Sequence, residues 1–153
     1  MTKPNAVIFD MDGTLADVSS IRHHIIPPTP KPKGWYKDFG AFHAESVNVP
    51  SHSNVVDHAH RAHVLGNAII IVTARRAMYR NQTAMWLALN GVPSDAMFMR
   101  ANDDGRPDNE VKRDILNVIR HSWNVIHAVD DNPSIIALWE SEGIPVTQIE
   151  GWE

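Results

Sequence analysis

The stretch Ala6-Val-Ile-Phe-Asp-Met-Asp-Gly-Thr-Leu15 decides how this chain is read. Four apolar residues in a row, Ala6 to Phe9, suit a strand buried on both faces. Two carboxylates, Asp10 and Asp12, follow at once, and Gly13 frees the chain to turn sharply behind them. On its own, Asp12-Gly13 reads equally well as an ordinary turn. The rest of the sequence decides between a turn and a site.

Similar apolar runs recur at Ile69–Val72, Met97–Met99 and Val125–Val129, and Pro145–Ile149 supplies a fifth. Helical spacing fills the gaps: Val55, Val56, Ala59, Ala62 and Leu65; Ala84, Met85, Leu87, Ala88 and Leu89; Val111, Ile115, Leu116, Val118 and Ile119; Ile135, Ile136, Leu138 and Trp139. Asn90-Gly91 stops the second helix, Pro107-Asp108 opens the third, and Asn132-Pro133 and Gly143 bound the fourth. Strand alternating with helix predicts an α/β fold, a parallel sheet of about five strands with helices on both faces. In such sheets ligands lie beyond the carboxyl ends of the strands, where strand order reverses. Asp10, Thr73 and Asp130 each stand at or just after a predicted strand end, so they should share one edge.

The stretch from Ala16 to about Pro50 fits no period and carries Pro27, Pro28, Pro30, Pro32, Gly34, Gly40 and Pro50. It is too long for an ordinary connection. Trp35, Tyr36, Phe39 and Phe42 within it need something to pack on, which argues against disorder. We read it as a flap over the site, inserted at about residues 16–50 into one domain spanning 1–153. A chain of 153 residues with 43% hydrophobic content fits one sizeable core. No window approaches the about 18 apolar residues of a membrane span. The N-terminal Met1-Thr-Lys-Pro-Asn lacks the apolar core of a signal peptide, so the expected location is cytoplasmic. Cysteine is absent, which leaves oxygen and imidazole as metal ligands. The net charge of −4 gives no general attraction for nucleic acid, but Arg22, Lys31, Lys33 and Lys37 lie in a segment without acids, and Arg75, Arg76 and Arg80 form a second cluster. Anion recognition would be local.

Four signals therefore occur in order: Asp10 with Asp12, Thr73, Lys112, and the pair Asp130-Asp131. A response-regulator receiver uses the same parts, but there the paired acids follow the first strand and the phosphorylated aspartate the third. The order here is the reverse. With VIFDMDGTLAD, Arg22 a dozen residues after Asp10, IIIVTARR, RPDNEVKRDIL and AVDDNPSIIALWESEGI, the chain resembles the haloacid dehalogenase (HAD) superfamily of phosphohydrolases. Within it the resemblance runs to the 3′-phosphatase half of phage-type polynucleotide kinase/phosphatase. It implies a HAD-like Rossmannoid three-layer sandwich with a small flap in place of a large cap domain. It also implies an Mg²⁺-dependent phosphomonoesterase working through a phospho-aspartate.

The residues suit that chemistry. Asp10 stands where a carboxylate nucleophile for phosphorus would, and Asp12 beside it fits a group that serves in turn as acid and base. Lys112 would neutralise the transferring oxygens and Thr73 would hydrogen-bond one of them. Four carboxylates crowded at one edge need a cation to stay ionised. Mg²⁺ takes oxygen ligands, and we assign Asp10 and Asp130 as direct ligands and Asp131 as direct or water-mediated. The resemblance adds the Asp12 main-chain carbonyl. It also assigns Arg22 and Arg75 to phosphate, a task for which the guanidinium fork is suited, and gives Asp108, four residues before Lys112, a part in activity. As a cap with a surface ion pair to Lys112, Asp108 has an ordinary alternative.

The expected substrate is a 3′-phosphorylated nucleic acid end. A free nucleotide or other small phosphomonoester is the alternative, and a non-catalytic module that binds phosphate or nucleic-acid ends the second. A separate kinase or ligase is a candidate partner, since no GxxxxGK[ST] string occurs in the chain. His58, His60 and His63 share a predicted helix, but at 100° per residue they cannot all face one metal. The five tryptophans read mostly as core. Trp35 is the exception, a loop anchor or a base-stacking group.

Overall fold

Strands made almost wholly of apolar residues can be buried on both faces, and five such strands pair in parallel in the computed structural model, which describes residues 2–150. They are β1 (Asn5–Phe9), β2 (Ala68–Arg76), β3 (Ala96–Arg100), β4 (Asn124–Asp130) and β5 (Val146–Gln148), in the order β3-β2-β1-β4-β5. The helices are α1 (Phe39–Ser46), α2 (Ser53–Val64), α3 (Arg80–Leu89), α4 (Asp108–Ile119) and α5 (Pro133–Ser141). Alternate residues of β1 feed two cores. Val7 and Phe9 meet Val55, Ala59, Trp86 and Leu87 from α2 and α3 on one face. Ala6 and Ile8 meet Val111, Leu116, Ile135 and Trp139 from α4 and α5 on the other. The fold is the expected three-layer HAD-like sandwich.

Strand order reverses at β1, between β2 and β4. The register pairs Phe9 with Ile71 on one side and with Val129 on the other. Asp10, the next residue, thus leaves the sheet level with Val72 and Asp130. This is the position where open parallel sheets hold their ligands.

Some expected borders move. β2 runs on through Thr73 to Arg76, because pairing with β3 resumes at Arg76 and Arg100 beyond an irregularity after Val72, so Thr73 lies within the strand and not after it. The stretch after Ala16, in which the sequence shows no period, contains a 3₁₀ turn at Arg22–His24 and the two-turn helix α1. Asp38 caps α1, its carboxylate accepting from the Ala41 amide at 2.9 Å. The inward residues of α1 are Phe42, His43 and Ser46. Two of these are polar, so the apolar periodicity that would have revealed the helix is missing. Phe42 supplies the packing expected of the flap aromatics, whereas Tyr36 is 69% and Phe39 46% exposed. Of the tryptophans, Trp86 and Trp139 are fully buried, Trp123 is partly buried, Trp35 is half-buried, and Trp152 lies outside the described residues.

The flap stands on a narrow neck. Ala16 and Ser51 form an antiparallel bridge, the Asp17 amide donates to the Pro50 carbonyl at 2.9 Å, and the His52 amide donates to Leu15 at 2.8 Å. Trp86 donates its Nε1–H to the Val49 carbonyl at 2.9 Å, which fastens the foot of the flap to α3.

Candidate active site

At the carboxyl edge of the sheet Asp10 follows β1, Asp130 ends β4 and Asp131 comes next, all three buried. Lys112 reaches them from the second turn of α4. Its Nζ donates to Asp10 Oδ1 at 2.9 Å and lies 3.3 Å from Asp130 Oδ2. Lys112 is only 2% exposed, which excludes a solvated surface role. The buried Thr14 hydroxyl lies 3.1 Å from both Asp10 Oδ2 and Asp131 Oδ1, so both oxygens of Asp10 are held by neighbours. Trp139 Nε1–H, 3.4 Å from Asp130 Oδ2, and the Asn132 amide, 3.1 Å from Asp130 Oδ1, hold that carboxylate.

One ammonium answers Asp10 and Asp130, and the only cation near Asp131 among the described residues is the Arg22 guanidinium, 3.9 Å away. Burial and then Asp130 push the Asp10 carboxyl well above its ordinary range, against the pull of Lys112. Burial and Asp130 also raise Asp131. Burial alone would lower the Lys112 ammonium, but Asp10 and Asp130 outweigh it and raise it. The site is thus short of positive charge. Asp131 Oδ2 is buried without a hydrogen-bond partner, and Asp10, Asp130 and Asp131 each offer an oxygen within 4.8 Å of the others. An all-oxygen donor set with an unsatisfied oxygen fits a hard divalent cation. Gly13 makes room for it to form, since at φ +81° a Cβ there would stand 2.1 Å from Asp131 Oδ2.

Asp12 is treated differently although it is two residues from Asp10. Its side chain turns to Arg75, which donates Nε–H to Oδ2 at 3.0 Å and Nη2–H to Oδ1 at 2.5 Å. Arg75 is 4% exposed, and its Nη1 donates to Thr83 Oγ1 at 3.0 Å and to Ser46 Oγ at 3.4 Å. Burial alone would raise the Asp12 carboxyl, but the Arg75 guanidinium outweighs it and brings it below the ordinary value. Arg75 was expected to bind phosphate, yet its fork is occupied by Asp12, so here it holds a carboxylate in position.

The remaining expected residues are spread around this edge. Thr73 is 1% exposed and its Oγ1 accepts from the Arg75 amide at 3.1 Å. Arg22 Nη2 lies 3.9 Å from Asp131 Oδ2. Asp108 neither caps α4 nor pairs with Lys112. Pro107 takes the cap position, and Asp108 binds Arg100 Nη2, because Lys112 is drawn inward by Asp10 and Asp130. His58 packs on Phe9 and His127, and His58, His60 and His63 form no metal-binding group among the described residues.

Residues 35–151 match the family model of the polynucleotide kinase PNKP phosphatase domain. The chain belongs to this family. It is therefore a HAD phosphatase of the PNKP type, and the matched span carries Thr73, Arg75, Asp108, Lys112, Asp130 and Asp131, with Asp10 and Asp12 ahead of it. It is 29% identical over 145 residues, 93% of its length, to a protein of Autographa californica nuclear polyhedrosis virus proposed to be a bifunctional polynucleotide kinase/RNA ligase. Among solved structures it resembles a chain of the Pnkp1/Rnl/Hen1 complex, with TM-score 0.81 and 24% identity over the whole of this chain and 48% of that one. It also resembles the class C acid phosphatase of Bacillus anthracis with tungstate bound, with TM-score 0.74 and 14% identity over 98% of this chain and 68% of that one. The chain spans 19% of the viral protein and about half of the Pnkp1/Rnl/Hen1 chain.

Several residues of the candidate site were not singled out in the sequence, although some carry a signal there. Thr14 sits inside the Asp10–Leu15 motif, and its hydroxyl type next to two acids was the available clue. Arg100 ends β3, so the strand-end rule that found Thr73 and Asp130 also points to it. It donates to the carbonyls of Ala74, Asp104 and Arg106 as well as to Asp108, and so ties the loop before α4 to β2. Ser46 and His43 come from the flap helix, where no pattern revealed them. Buried His43 packs on Tyr79 with ring centroids 4.0 Å apart. Burial and the Arg75 charge hold its imidazole down to about 4, so near neutral pH it is uncharged beside the guanidinium and does not compete for Asp12. No helix of the described residues is long and apolar enough to cross a membrane.

Proposed function

We propose that this phosphatase removes a terminal 3′-phosphate from a polynucleotide end through a phosphoryl group carried covalently on Asp10. The observation that carries the reading is the separation of the two motif carboxylates. Asp10 lies with Lys112 in the acidic cluster, and Asp12 lies outside it on Arg75. One is set up as nucleophile and the other as acid and base.

In the first step an Asp10 carboxylate oxygen bonds to phosphorus as the bond from phosphorus to the 3′-oxygen breaks. The electron pair of that bond goes to the departing oxygen, which takes a proton from Asp12. In the second step Asp12 accepts a proton from water as the water oxygen bonds to phosphorus. The phosphorus–Asp10 bond then breaks, and Asp10 returns as a carboxylate. Lys112 and Thr73 stabilise charge on the phosphoryl oxygens, and Arg22 contributes a guanidinium to the substrate phosphate. Asp108 acts through Arg100 on the loop that positions α4 and hence Lys112. The carboxylates of Asp10, Asp130 and Asp131 would hold Mg²⁺, with the Asp12 main-chain carbonyl as a further ligand. When bound, the ion supplies positive charge to the transferring phosphoryl group.

The flap at about 16–50 covers this edge and brings Arg22 and Ser46 to it. The Pnkp1/Rnl/Hen1 complex and the viral kinase/ligase relative support a setting in which kinase or ligase activities act on the same ends. A substrate panel tests the reading. A 3′-phosphorylated oligonucleotide should be hydrolysed with higher kcat/KM than a 3′-mononucleotide or p-nitrophenyl phosphate, and chelation of Mg²⁺ should stop turnover. Equal or faster hydrolysis of the small esters overturns the polynucleotide assignment. Undiminished turnover in chelator overturns the metal.

A further inference from the structure

The flap brings together a second set of metal-ligating side chains, distant in role from the acidic cluster. His23 and His24 lie in the 3₁₀ turn at Arg22–His24, and Glu45 lies near the end of α1. One ligand atom from each of the three lies within 4.8 Å of the other two. His24 Nε2 is 2.7 Å from Glu45 Oε2, and the two imidazole rings have centroids 4.1 Å apart at a tilt of 41°. Neighbouring residues of a 3₁₀ turn point about 120° apart. The two rings nevertheless tilt together, toward a carboxylate supplied from 21 residues downstream.

The geometry points to a metal site at His23, His24 and Glu45 for a Zn²⁺-class transition-metal ion. Two imidazoles and one carboxylate suit that class and not Mg²⁺, which takes oxygen ligands. Ligands of a tetrahedral Zn²⁺ lie about 3.4 Å apart, so an ion would open the 2.7 Å His24–Glu45 pair slightly and draw the exposed His23 side chain in by no more than about 1.4 Å. Three protein ligands leave one position open to water. An ion here fastens the turn that begins with Arg22 to the helix that ends with Ser46. It thus joins the two flap elements that face the catalytic edge, without touching the reacting groups.

Co²⁺ serves as the probe, titrated into tag-free full-length protein kept in excess Mg²⁺ so that the acidic cluster is occupied. The wild type should show the visible bands of a four- or five-coordinate Co²⁺ site with nitrogen ligands, abolished by Zn²⁺, and Zn²⁺ should raise its Tm. His24→Ala and Glu45→Gln should each weaken binding at least about tenfold, and the exposed His23→Ala covers the case in which His24→Ala does not fold. His60→Ala, outside the set, should leave binding unchanged. Co²⁺ binding that persists in all three ligand variants, or absence of any such spectrum in the wild type, overturns the site. A signal lost in Asp131→Asn but kept in Glu45→Gln does the same. None of these readouts depends on phosphatase activity.

Discussion

The two halves of the site are built by different means. Asp10, Asp130 and Asp131 follow directly from strands, and Lys112 from a helix packed on the sheet, so their placement is a property of the core. Asp12 owes its placement to Arg75, which in turn leans on Thr83 of α3 and Ser46 of the flap. The first half is short of positive charge and the second is balanced. A nucleophile that attacks along one line needs rigid placement. An acid/base must hold a proton, release it and take it back, and a two-point guanidinium contact keeps its carboxylate in place while it does so.

The largest expected effect is at the rigid half. Asp10→Asn keeps the shape and removes the proposed nucleophile, so phosphatase turnover should fall by about four orders of magnitude or more. Acid-quenched protein should then retain no phosphoryl group. An unchanged rate would remove Asp10 from the chemistry.

Next comes the tether. Arg75→Gln should lower kcat on the order of a hundredfold by letting Asp12 drift. It should also change the pH profile in a direction set by Asp12. In the wild type Arg75 holds the Asp12 carboxyl below its ordinary value, so if Asp12 is the proposed acid its protonated form is depleted as pH rises, and kcat/KM should fall with it. Without Arg75, burial raises that carboxyl, and the descending limb should move to higher pH. A limb that stays where it was would mean that Arg75 does not tune Asp12.

Thr14→Val removes the hydroxyl that lies within reach of Asp10 and Asp131. If the roughly 1–3 kcal/mol expected for a buried acceptor left without its donor falls on the transition state, turnover should slow roughly five- to a hundredfold. Ser46→Ala should have the smallest effect. Its contact with Arg75 is 3.4 Å long, so about two- to tenfold in kcat is expected, with little change in Tm. If Ser46→Ala instead matched Arg75→Gln, the flap would be as decisive for Asp12 as its guanidinium.

The placement of the rigid half was legible in the sequence because strand ends can be located from apolar runs, and Asp10, Asp130 and Asp131 sit at or just after them, whereas Thr73 lies inside β2, which runs on to Arg76. Lys112 was found by its order among these signals, although its burial was not foreseen. The tethered half was less legible for a physical reason. A guanidinium suits phosphate and carboxylate equally well, so Arg75 could be placed at the site but not aimed. For Asp108 it is the ordinary alternative that fails: spacing of four suggested an ion pair with Lys112, but Lys112 turns inward and Arg100 arrives from a neighbouring strand. Helix α1 was invisible because Ser46 and His43, polar residues, occupy its inner face.

The neck at Ala16 and Ser51 has a consequence for how such enzymes diversify. The two ends of the inserted segment are already joined to each other by the bridge and by backbone bonds at Asp17 and His52. Beyond this junction Val18, Ile21, Phe42 and Val49 pack into the core and Ser46 reaches Arg75, so only the exposed part of the segment, residues 28–34, hangs free of the sheet. Lengthening a flexible segment between fixed ends costs only about 0.6 kcal/mol for each doubling. That exposed stretch can thus be shortened or enlarged while Asp10 and its partners stay in register, whereas the buried parts of the segment are bound to the site they support.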